Sequence, residues 1–268
     1  MTSGGPSTDV RRHVVRAEWR KVARAKSTWV LVVAAGLASG LAGAVNTFHA
    51  RLLPGAPAGT LVMPATVGEV FAAILSVLVL SAEDVHRTWT TTLAAVPGRA
   101  VLLGAKWSVG LTGAAAFAVV SLSGCVLGVE AESQLFPVAG HISMGTLMVA
   151  AGSELLRITV AVVVVASVWM GVATIWPNRS AVLAMLVAWE LAAANLLALS
   201  DPGVARWVPE GIVQAIAPPV LMVNLVTQTN HGTLVSMPVA AAYLASLLGI
   251  LAAIGAWRFV TRDDFEQR

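Results

Sequence analysis

Residues 82–106 read AEDVHRTWTTTLAAVPGRAVLLGAK, and they divide two strongly apolar runs, 64–81 and 101–129. Within this polar segment come an acidic pair, Glu83 and Asp84, then His86 and Arg87, a Thr/Trp run that includes Thr88 and Trp89, and finally Leu93, Pro97 and Arg99. A segment of 25 residues with this mixture is too long and too polar for a tight turn between two membrane helices. It reads as a loop that presents side chains to something outside the bilayer.

The apolar runs on either side set the class. The chain is 57% hydrophobic and 12% charged, with mean hydropathy +0.80, well outside the composition of soluble domains. Its apolar runs are roughly 18 to 27 residues long, enough at about 1.5 Å per residue to cross a hydrocarbon core of about 30 Å. Strand-like alternation is missing from the sequence, so the spans are helices. The formal charge of +3 and pI near 9.6 first report topology in a membrane chain. Arg outnumbers Lys fourteen to three, and Ala, Val and Gly abound, which fits a GC-rich bacterial genome. The single cysteine, Cys125, lies in an apolar run, which excludes an intramolecular disulfide and any paired-cysteine metal site within this chain.

Taken in order, 1–27 is a cytoplasmic tail followed by a basic amphipathic helix, 9–26. Seven Arg and Lys residues, among them Arg16, Arg20 and Arg24, surround an apolar stripe of Val15, Trp19 and Val22. The helix is expected to lie along the membrane interface with Trp19 at the headgroups. A six-span transmembrane domain, 28–258, follows, with spans at 28–46, 64–81, 101–129, 152–176, 181–199 and 235–257. The basic run ahead of the first span, with Ala42-Gly43-Ala44 at its end, has the outline of a signal peptide. The apolar stretch is longer than a signal core, so retention is expected. Gly36 and Gly40, four apart, would let another helix approach closely. Before the last span, 200–234 holds an apolar stretch broken by Pro218-Pro219, read as a half-embedded segment on the external face. The tail 259–268 is cytoplasmic. On this layout fourteen basic residues are inside and two outside, which places both termini in the cytoplasm of a multi-pass protein of the bacterial cell membrane.

Phosphate loops, zinc-protease helices, nucleophile elbows and dinucleotide fingerprints are all missing from the sequence, so this chain is not expected to act as an enzyme by itself or to bind a cofactor. His49, His141 and His231 fall in external segments without ligand spacing, and no metal site is expected. Ionisable groups inside apolar spans are costly and therefore informative. Glu69 and Arg157 lie at similar depth near the external face and read as an ion pair. Glu190, near the middle of the fifth span, and Asn195, one turn further out, are the candidates for a translocation path.

The order of features resembles the membrane subunits of ABC transporters of the type-2 exporter class. After their second span such proteins carry an acidic residue, a basic pair, Gly-Thr, a Thr/Leu run, Pro, Arg, and a Lys entering the third span. Here Glu83, His86, Thr88, Thr91, Leu93, Pro97, Arg99 and Lys106 match in order, while Arg87 stands where Gly is common. Glu18-Trp19, Arg20-Lys21 and Thr28-Trp29 also look like the class's N-terminal connecting helix. The resemblance implies a permease with Glu83, Asp84, Arg87, Thr88, Trp89, Leu93 and Arg99 in an ATPase-coupling helix. It also implies a separate ATPase subunit that uses ATP and Mg, a second permease copy or homologous permease, and no nucleic-acid partner. A secondary transporter is the main alternative, and a membrane sensor or assembly factor is the third.

Overall fold

The computed structural model describes residues 8–52, 63–82, 92, 98–136, 144–176, 178–190 and 237–261, and among these there is helix and no strand. Seven helices carry the fold: α1 (Thr8–Arg24), α2 (Lys26–Leu52), α3 (Met63–Leu80), α4 (Arg99–Leu135), α5 (Met144–Ile175), α6 (Arg179–Ala188) and α7 (Met237–Thr261). Among the described residues, four stretches are long and apolar enough to cross a membrane: Lys26–Phe48, Arg99–Leu135, Glu154–Ile175 and Pro238–Arg258. The described residues are thus all-helical, with the make-up of a membrane protein. The expected second span falls on α3, whose apolar part, Val67–Leu80, is shorter than these four, and the expected fifth is described only as far as Glu190. The expected segment 200–234, the coupling residues Glu83, Asp84, Arg87, Thr88, Trp89 and Leu93, and Asn195 lie outside the described residues.

α4 is the centre of the molecule. At 37 residues it is about 55 Å long, well beyond a hydrocarbon core of about 30 Å. Helices α2, α3 and α5 pack along it, α1 packs on its N-terminal end, α6 packs on α3 and α7 on α5. The main core combines Ala72, Leu75 and Val79 of α3 with Val109, Phe117 and Leu122 of α4 and Ile158, Val162 and Ala166 of α5. A second cluster joins Ala73 and Val77 to Val165, Trp169, Val182 and Leu186.

The contact of α2 with α4 is made by backbone. A Cβ placed on Gly124 would overlap the Gly36 carbonyl, one on Gly128 would overlap the Gly40 carbonyl, and one on Gly43 would come within 2.8 Å of the Cys125 carbonyl oxygen. The pair Gly36 and Gly40 therefore does receive a helix, one that supplies glycines of its own at the same spacing. Several hydroxyls inside the helices donate back along their own helix, as with Thr47 Oγ1 to the Gly43 carbonyl (2.9 Å) and Ser76 Oγ to that of Ala72 (2.8 Å).

Three boundaries differ from the sequence reading. α2 runs six residues past Asn46, to Leu52. α4 runs on through Glu130 and Glu132, expected in an external loop, to Leu135. Its last turn is held by Ser133 Oγ donating to the Glu130 carbonyl (2.8 Å) and Gln134 Nε2 to the Glu130 carboxylate (2.9 Å). α5 begins at Met144, ahead of the expected start at 152. At the first two boundaries polar residues lie within the helix, because a helix can extend beyond its apolar stretch until a real stop; the early start of α5 adds a mostly apolar stretch, 144–151. Asn178 caps α6, its Oδ1 accepting from the Ala181 amide at 3.1 Å.

Candidate functional site

The polar segment 82–106 begins at the end of α3, and its last residues, 99–106, form the start of α4. Both places are built from local hydrogen bonds. Ser81 donates its amide (3.0 Å) and its hydroxyl (2.7 Å) to the Val77 carbonyl, closing the last turn of α3. On the return, Gly98 is extended (φ −116°, ψ 102°), and its carbonyl accepts from the Val101 and Leu102 amides at 3.0 and 3.2 Å to open α4. Arg99, the described member of the coupling set, is the first residue of α4 and is partly buried.

Two turns into α4 lies Lys106, which is fully buried. Its Nζ donates to the Val79 carbonyl at 2.8 Å and stands 3.4 Å from Glu18 Oε2. Val79 is in the last turn of α3, where carbonyls lack an intrahelical donor and where the helix dipole favours a cation. Lys106 supplies both the hydrogen and the charge. Glu18, buried on α1, balances that charge and also pairs with Lys21 on its own helix. One ammonium group thus joins α1, the end of α3 and the start of α4 at the base of the polar segment.

α1 is shaped for this contact. Its buried residues are Val14, Glu18 and Val22, spaced four apart on one ridge. Val14 packs with Leu102 and Ala105, and Val22 belongs to the same buried cluster as Val79 and Val109. The ridge therefore differs from the expected stripe of Val15, Trp19 and Val22: it contains a carboxylate, and the first third of α4 covers it where lipid was expected to. Trp19 is 36% exposed, and Arg16, Arg20 and Arg24 are exposed around it. The α1–α2 junction at Ala25 is fastened by Trp29, whose Nε1 donates to the Ala23 carbonyl at 2.9 Å.

The remaining candidates lie deeper. Glu190 forms part of a π-type turn after α6, and its Oε1 accepts from Trp169 Nε1 of α5 at 3.3 Å. Glu69 is buried on α3. Arg157 lies 3.3 Å from Glu154, one turn earlier on α5. Among the described residues there is no cluster of side chains that could hold a metal ion.

Sequence reasoning missed the junction. Lys106 was read as the closing residue of the polar segment and Glu18 as part of a motif, and neither was connected to the other. The signal was present: Glu18 interrupts a valine ridge at the spacing of that ridge, and Lys106 stands alone in an apolar run. No protein-family model matches the chain, and comparison with curated proteins gives no match.

Proposed function

We propose that the chain is the permease subunit of an ATP-driven exporter of the ABC type-2 class, coupled to a separate ATPase through the polar segment 82–106. The observation that carries this reading is the buried Glu18–Lys106–Val79 junction. A long polar loop with no role needs no anchoring, whereas a loop that delivers movement must be tied to the helices it moves. In this reading α3, and α6 continued through 191–199, complete six spans, and 200–234 is the half-embedded external segment. The chain works with a second permease copy in the bacterial cell membrane, with both termini inside. Spans rich in Val, Ala and Leu favour an apolar or amphipathic cargo. The reading is tested by co-expression with candidate ATPase subunits and purification of any pair in lipid. Hydrolysis stimulated by members of a compound panel supports it; a pair that never associates contradicts it.

One observation favours a second reading. The Glu190 carboxylate, half-buried beside Trp169, is the kind of group that ion-coupled secondary transporters use. Uptake or efflux driven by a proton or sodium gradient without ATP, and lost in Glu190→Gln, would support that class.

A further inference from the structure

We propose that Lys106 is a positioning residue that makes α1 and the base of the polar segment move as one body. The inference rests on the exporter reading only for what pushes on segment 82–106; the link itself belongs to this chain. The argument begins with burial. Lys106 is fully buried, and it contacts two different elements, the Val79 carbonyl on α3 and the Glu18 carboxylate on α1. A charge withdrawn from water holds its partners tightly, because neither can regain hydration without leaving the site as a whole. Val79 is at the exit of the polar segment and Lys106 at its return. A change in the separation or twist of those two ends therefore acts on the ammonium group, and through it on Glu18.

The direction of packing carries the displacement along the helix. α1 contributes Val14 against Leu102 and Ala105, Glu18 against Lys106, and Val22 to the cluster of Val79 and Val109, so that it follows α4 in the same sense. At Ala25 the backbone continues into α2 after one non-helical residue, and the Trp29 indole fastens that joint. α2 in turn lies on α4 through backbone-close glycines, which allow little sliding. Movement of the polar segment is then delivered to α1 and on to the edge of the bundle. Apolar packing alone would not fix the register of α1 in this way, because valine side chains have no directional bond to hold them at one place on α4.

Coupling is reciprocal, so the link can be tested from the α1 side on the purified full chain in lipid nanodiscs, without an ATPase. Amide hydrogen exchange is read at residues 79–82 and 98–104. Glu18→Gln should speed exchange there by about fivefold or more while leaving α5 and α7 unchanged, and Arg16→Gln, on the exposed side of the same helix, should not. Glu18→Met/Lys106→Met separates positioning from stability: two apolar side chains restore packing and thermal resistance, yet exchange at the base stays fast. If Lys106→Met does not fold, Glu18→Gln and the double variant decide. Wild-type exchange at the base in both would overturn the proposal, as would loosening spread evenly over the bundle. Failure to bind any ATPase, with the exchange pattern as expected, would remove the exporter reading and leave the link standing.

Discussion

α4 is gripped in two places by opposite means. Near its start, Lys106 reaches α3 and α1 through a directional hydrogen bond and a charge. Further along, Gly124 and Gly128 bring it against α2 backbone to backbone, with no side chain between them. The first contact ties three elements together through one group and can be carried along as they move; the second fixes two backbones at one distance, with no room for another arrangement. A fold that must move at one end and stay fixed at the other would divide its contacts in this way.

Substitutions at the two places should therefore behave differently. The largest effect is expected at the glycine seam. Gly128→Ala adds one methyl group that overlaps the Gly40 carbonyl, so α2 cannot seat, and a loss of about 4 kcal/mol or more should appear as collapse of folded yield. Lys106→Met comes next. It leaves the buried Glu18 carboxylate without this partner and should cost about 3 kcal/mol in denaturant titration, with Glu18→Met/Lys106→Met recovering most of it. A double variant no better than the single would show that the two residues do not share one interaction. Trp169→Phe removes the indole donor to Glu190 and should lower stability by about 1.5 kcal/mol while leaving the polar segment's exchange unchanged. Smallest is Gly36→Ala, whose Cβ would stand at an ordinary 3.6 Å from Val120. It should be neutral or stabilising by about 0.5 kcal/mol, since alanine favours the helix. Equal losses for Gly36→Ala and Gly128→Ala would remove the distinction between the two grips.

The sequence made the helices legible because a run of apolar residues allows little else in a bilayer. It also made the glycine spacing at Gly36 and Gly40 legible, since removing side chains at helical spacing has one main consequence. Helix ends were read less well. Polar residues such as Asn46, Glu130 and Glu132 lower hydropathy without breaking a helix, and only the hydrogen bonds of Thr47, Ser133 and Gln134 show how the helix is continued around them. The junction was least legible. Glu18 and Lys106 are 88 positions apart, and periodicity says which face a residue occupies, not which distant residue it meets.

The exporter account stands on whether the polar segment is a docking surface. Trp89 and Leu93 are four apart and would share one helical face as an apolar plug. Trp89→Asp and Leu93→Asp place a charge in that contact and should cost about 2 kcal/mol of association, roughly a thirtyfold loss of affinity. The direct measurement is the amount of ATPase subunit that co-purifies with each variant at equal permease yield. The account predicts a loss of bound ATPase and of cargo-stimulated hydrolysis from a chain that still inserts and folds; wild-type amounts of both would contradict it.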